Sequence, residues 1–249
     1  MDARPNRGTQ ESGRIGVECP VPGPPRVGML GRVALRGGVF FLIQAAILFL
    51  PAGFGWRNGQ VFCLVFLGLM IFAAVHLWRR NPDIFVARSR IHKGTKSWDK
   101  GLLALLLASF FSVFAVAAFD ARYGWSSVPV WLIVLGYVLL SLGHLMSIRA
   151  YVVNKFAEPS VRIQSERGQK VVDAGPYAIV RHPLYLGSLL FVGGIPLALG
   201  SFRALLPAGV WAVTTVVRTA LEDRVLRSEL EGYKDYASRV RYRLIPGLW

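Results

Sequence analysis

Two short runs concentrate the side chains whose types and spacing suit chemistry. In the first, Asp173-Ala174-Gly175-Pro176 forms a turn that delivers Tyr177, and then Arg181-His182-Pro183, to the start of an apolar stretch. In the second, Arg218 and Glu222 lie four apart, on one face of a helix. A cation pair at a helix start opposes the helix dipole, which favours anions there. Arg181 and His182 therefore imply a negative or electron-rich ligand at that helix end, or a nearby carboxylate that neutralises them. Arg218 and Glu222 sit where another apolar stretch gives way to charge. The bland reading is a surface ion pair worth little; the sharper one is a site shared with Arg181 at a membrane boundary.

Other familiar chemistries are missing from the sequence. It has no Gly-rich phosphate loop, no HExxH, no paired CxxC and no GxSxG. His76, His92, His144 and His182 share no ligand spacing, so no metal site is expected. His76 and His144 fall inside apolar runs and read as packed polar residues bonded to neighbouring helices. Cys19 lies in a Pro/Gly-rich tail and Cys63 in an apolar run, which argues against a bridge or a cluster.

The elements that must position these residues follow from composition. Of 249 residues, 53% are hydrophobic and 17% charged, yet the net charge is +15. Soluble domains carry about 25% charged residues. A chain this apolar and this basic is expected to be an integral membrane protein with its cations gathered in loops, which excludes a disordered chain, a disulfide scaffold and an ordinary soluble enzyme. A nucleic-acid partner is not expected, because no soluble domain offers a basic face with interleaved aromatics.

Uncharged runs at Gly37–Trp56, Val61–Trp78, Leu102–Phe119 and Val128–Ile148 are each 18 to 21 residues long, enough to cross a hydrocarbon layer of about 30 Å. Leu184–Phe202 and the shorter Ala204–Val217, with Pro196, Gly200, Ser201 and Pro207 about their junction, read as a tight helical hairpin. The expectation is an all-α, polytopic chain of five transmembrane segments, the last a hairpin. Its parts are a flexible basic tail (1–36), four spans (37–150) with a polar loop at 79–100, and a core (151–249). Within that core, Val161–Gln164 alternates like a short strand. The tail, the 79–100 and 149–183 segments and the 218–249 region hold 26 Lys and Arg, against 3 in the opposite connections. By the positive-inside rule both termini and the polar loops are cytosolic.

The run VRIQSERGQKVVDAGPYAIVRHPLYLG, followed about 30 residues on by RTALEDRVLRSELEGYKDYASRVRYRLIPG, resembles the isoprenylcysteine carboxyl methyltransferase family. That family groups with the phospholipid methyltransferases among membrane-embedded enzymes. The resemblance covers roughly residues 150–249, with the NPDIFVARSR…WDK loop similar to the family's preceding loop, and its most specific part is GPYxxxRHPxYxG. It implies S-adenosylmethionine as methyl donor, S-adenosylhomocysteine as product and a cytosolic cofactor pocket. Carried over position by position, the cofactor-binding residues are Gln164, Gln169, Lys170, Val171, Val172, Tyr177, His182, Pro183, Leu184, Tyr185 and Glu222. Arg218 matches the substrate-contacting arginine and Arg181 the motif arginine beside the cofactor, so Arg218, Glu222 and Arg181 are the expected catalytic set. The chain departs from the family in carrying Glu222-Asp223 for two glutamates, in Ser188 where Trp is frequent, and in its smaller number of spans.

This chemistry suits the residues. A positive sulfonium and a negative carboxylate destroy charge as they react, so the transfer needs alignment and a dry pocket rather than a base or a metal. Arg218 would aim a carboxylate through two parallel hydrogen bonds. The acceptor implied is a lipophilic or prenylated molecule from the bilayer, methylated first of all at a carboxylate. Rivals are N-methylation of phosphatidylethanolamine or another membrane-soluble amine, S-methylation of a thiol, and a catalytically silent membrane scaffold. For an amine, Glu222 or His182 would take up the proton.

Overall fold

The structure is a computed structural model describing residues 27–89 and 93–249. Among these residues the regular elements are all helices, without strands. Helices α1 (Val27–Ala52), α2 (Arg57–Arg80), α4 (Ser97–Tyr123) and α5 (Val130–Val153) are long and apolar enough to cross a membrane. Between α2 and α4 lies the short α3 (Asp83–Ala87). Helix α6 (Pro183–Leu199) is apolar but has only 17 residues, a rise of about 25 Å. Helices α7 (Leu205–Glu229) and α8 (Tyr233–Arg239) complete the chain.

Two expectations are corrected. Helix α1 begins at Val27 rather than near Gly37. Charge does not end a helix, and Arg36 rides on its first turns, donating to the carbonyl of Ser89 at 3.1 Å. Residues 1–26, with Cys19, and residues 90–92, with His92, lie outside the described residues. The alternating Val161–Gln164 run is irregular backbone rather than a strand. Its amides and carbonyls go to side chains and a turn: Val161 N donates to Asp99 Oδ2 at 2.7 Å, and Lys96 N to the carbonyl of Val161 at 3.1 Å. Helix α7 continues past its uncharged stretch through Arg218 to Glu229, as the helical spacing of Arg218 and Glu222 implies.

The hairpin forms as expected. Gly200 ends α6 with φ +76°, and the amides of Gly200 and Ser201 return to the carbonyls of Leu197 and Pro196, both at 2.9 Å. Only a residue without a Cβ takes this conformation readily, and the paired bonds satisfy the last carbonyls of the helix. At the same end, Asp120 of α4 accepts hydrogen bonds from Ser126 and from Ser201, tying the turn down.

Helices α5 and α6 approach so closely that backbones touch. Gly136 and Gly143 on α5 face Gly194 and Gly187 on α6, seven apart on each helix. A Cβ on Gly194 would lie 2.5 Å from the Gly136 carbonyl oxygen. Small residues permit such contact, which is how apolar helices associate where water gives no driving force. The remaining core is aromatic, with Phe62, Phe66 and Phe114 buried among α1, α2, α4 and α6. His144 bonds the carbonyl of Leu69 at 2.9 Å, the interhelical role expected of it. Cys63 is a free, buried thiol.

Candidate functional site

At the end of the bundle away from the hairpin turn, six segments converge on a cavity of about 250 Å³: α4 at Leu106, the loop 154–172, the Gly175–Ala178 turn, the start of α6, the end of α7 and α8. Pro183 opens α6, where its missing N–H costs nothing. Arg181 and His182, just before it, stand at the cavity wall. Tyr177 is held from two sides: its hydroxyl accepts from Asn154 Nδ2 at 2.8 Å, and its carbonyl accepts from the Tyr236 hydroxyl at 2.7 Å. Burial pushes the Tyr177 phenol above its ordinary range, so it stays protonated.

The Arg181-His182 cation pair meets a carboxylate of this chain, the second of the two outcomes its position allowed. Asp223, 1% exposed, lies 2.9 Å from Arg181 Nε and 3.5 Å from His182 Nε2, and bonds Arg227, Arg243 and the Tyr233 hydroxyl, each at 3.0 Å. Burial alone would raise its pKa, but His182, Arg243 and Arg181 outweigh that and hold it well below the usual carboxylate range. The remaining arm of Arg181 donates to the carbonyls of Val240 and Arg241 at 3.0 and 3.1 Å. The backbone amides of Arg181 and His182 bond the carbonyls of Tyr242 and Arg243, both at 2.9 Å. Residues 240–243 thus lie as a strap across the start of α6.

The second cluster links α4, α6 and α7. Arg218 grips Asp99 through Nε at 2.7 Å and Nη2 at 3.1 Å, and Nη2 also donates to the Pro159 carbonyl at 2.7 Å. Its guanidinium carbon lies 5.4 Å from the centre of the Tyr185 ring, a cation–π arrangement. The Tyr185 hydroxyl in turn donates to Glu222. The His182 ring stacks on Tyr185 with centroids 5.7 Å apart.

Most of the residues singled out in the sequence meet in this one cavity. Gln164, Gln169, Lys170, Val171, Val172, Tyr177, Arg181, His182, Leu184, Tyr185, Arg218 and Glu222 all line it; Pro183 does not. Gln164 contributes its bulk more than its polarity, because its amide is spent on the Phe156 carbonyl at 2.7 Å and on Arg167 Nη1 at 2.6 Å. Asp99 and Asp223 escaped the sequence reading. Asp99 is one of two acids, with Asp83, in the basic 79–100 loop and the one that enters the span, a signal within reach of the sequence; nothing in the spacing shows that Asp223 points to Arg181 while its neighbour Glu222 faces the cavity. The deeper wall is apolar or weakly polar, made by Leu106, Ser188, Trp211 and Thr215. No group of three or more metal-ligating side chains occurs among the described residues.

Fold and site together define a polytopic helical protein with a polar pocket at one end of its bundle. Residues 131–231 match the phospholipid methyltransferase family. This is the family group that includes the isoprenylcysteine carboxyl methyltransferases, and the match runs from α5 to the end of α7. Asp99 and the 240–243 strap lie outside the matched residues. No curated protein matches the chain.

Proposed function

We propose that this protein is an S-adenosylmethionine-dependent methyltransferase that modifies a lipophilic acceptor reaching the pocket from the bilayer, with the pocket and both chain ends on the cytosolic side and the α6–α7 hairpin as the fifth membrane segment. The observation that carries this reading is the convergence of the motif residues Tyr177, His182, Tyr185 and Glu222 on one cavity whose far wall is apolar. The donor set suits such a ligand: a carboxylate for its amino or ribose end, and stacked His182 and Tyr185 rings beside apolar Leu184 and Val171 for its base. When bound there, S-adenosylmethionine supplies a methyl group carried on a positive sulfur. The chain's own part is to bind, orient and exclude water, the effects that matter when charge is lost in the transition state.

In this reading Glu222, braced by the Tyr185 hydroxyl, binds the cofactor. Arg218 faces the acceptor, and Arg181 holds the strap rather than touching reactants. A carboxylate acceptor is the first expectation from the motif. An amine acceptor is favoured by one observation: Asp99 already occupies two donors of the Arg218 fork, which leaves Glu222 as the charge facing the head group. The test is transfer of labelled methyl groups in membranes with and without the protein. Base-labile label released as methanol marks an ester, and stable label in a lipid head group marks an amine. No transfer above the control membranes overturns the reading.

A further inference from the structure

We propose that Asp99 is a positioning residue for methyl transfer: it sets the plane and charge of Arg218 and, through Arg218 and Tyr185, the place of Glu222. This rests on the methyltransferase reading above. Asp99 is fully buried at the first turn of α4. Its two oxygens take Nε and Nη2 of Arg218, and Oδ2 also accepts the amide of Val161. The carboxylate therefore fixes the guanidinium in one plane and anchors the 158–164 loop to the same point. That plane lies over Tyr185, whose hydroxyl holds Glu222. The four side chains come from α4, α7 and α6, so a rotation of Arg218 would be felt on both sides of the cavity.

A brace that only supported the fold would need no cavity-facing partner. Here Arg218, Tyr185 and Glu222 all line the cavity, and Asp99 stands directly behind them without lining it. Asp99 also neutralises the charge of Arg218. Without it, the fork is free to take an anion from the cavity side, with the strength of a bidentate guanidinium–carboxylate pair.

The two effects of removing that charge run in opposite directions, which separates positioning from mere support. In Asp99→Asn, turnover should fall by about 100-fold, the scale of a misaligned reacting group. Affinity for laurate, an apolar carboxylate used as probe, should rise at least about fivefold because a charge-assisted contact becomes available. Affinity for S-adenosylhomocysteine should fall, because Glu222 shifts, but by much less than turnover. Asp99→Glu keeps the charge and should retain more turnover than Asp99→Asn without the gain in laurate binding. The proteins are compared at full length in lipid nanodiscs, with unfolding temperature measured in parallel. Turnover and laurate affinity equal to wild type overturn the role of Asp99 and leave the methyltransferase reading intact. A parallel fall of turnover, both affinities and unfolding temperature reduces Asp99 to a structural brace and overturns the proposal. A wild-type protein that transfers no methyl group overturns both.

Discussion

The close contact of α5 and α6 makes one substitution a sharp test of how the site is held. In Gly143→Ala the new Cβ would lie 2.5 Å from the Phe191 amide nitrogen and 3.0 Å from Leu190 Cβ, and would press on the Gly187 carbonyl oxygen. Ordinary contact needs roughly 3.4 Å or more, so the helices must separate by about 0.9 Å, and backbone atoms cannot rotate away as a side chain can. A gap of 0.5–1 Å forfeits about a quarter to a half of each dispersion contact it opens, and overpacking typically costs about 1–3 kcal/mol. Alanine gains about 1 kcal/mol over glycine in helix propensity, so the net loss should be up to about 2 kcal/mol. Gly193→Ala on α6 is the matched control: nothing lies within 4 Å of its Cβ, and it should be neutral or more stable. Unfolding midpoints of both variants and wild type in one detergent measure the difference. Gly187 lies two residues beyond Tyr185, so the wedge in Gly143→Ala should also displace the first turn of α6 and cut methyl transfer by up to about 100-fold below its melting range. A Gly143→Ala protein as stable and as active as Gly193→Ala would refute the backbone contact and the idea that it sets the site.

Replacing Tyr177, His182, Tyr185 or Glu222 singly by Ala should weaken S-adenosylhomocysteine binding in calorimetry while the helical circular dichroism is kept; unchanged affinity in all four would show that the pocket holds something else. Asp223→Asn strands Arg181 and Arg243 and should cost about 3–5 kcal/mol, as breaking a buried pair does. Because the Asp223 pKa is depressed on folding, its stabilising effect is complete at neutral pH and fades as acid protonates it. The gap between wild type and Asp223→Asn should therefore stay level from pH 7 to about 4 and then narrow by up to about 1.4 kcal/mol per pH unit. A gap that widens below pH 4 would contradict that sign. Leu248→Cys should react with an impermeant thiol reagent only from the cytosolic side and Trp125→Cys only from the other; the reverse pattern would invert the topology argued from the loop charges.

Long uncharged runs made four apolar helices and a hairpin legible, because membrane spans announce themselves by length and a turn by Gly and Pro. The GPYxxxRHPxY pattern likewise located the cavity wall. Less legible were features that depend on what faces what. Val161–Gln164 alternates, but alternation alone provides no partner strand, and Asp99 claimed its amide instead. Arg218 and Glu222 were read as neighbours on one helix face, yet each bonds outward, to Asp99 and Tyr185 from other helices. Glycines seven apart on α5 and α6 were visible as composition, whereas their mutual approach is a property of the pair of helices. Asp223 is the plainest case: adjacent to Glu222 in sequence, it turns the other way and gathers donors from Arg181, Arg227, Tyr233 and Arg243.

That carboxylate also fixes when, in the life of the chain, the pocket can be completed. Asp223 draws its donors from Arg181 at the start of α6, Arg227 on its own helix, Tyr233 on α8 and Arg243 on the strap. A chain synthesised from its N-terminus has all its apolar helices made well before Arg243 exists. Until those residues fold back, Arg181 lacks the carbonyls of Val240 and Arg241 and α6 lacks the strap across its start. The last polar residues thus complete a site whose other walls the earlier helices make.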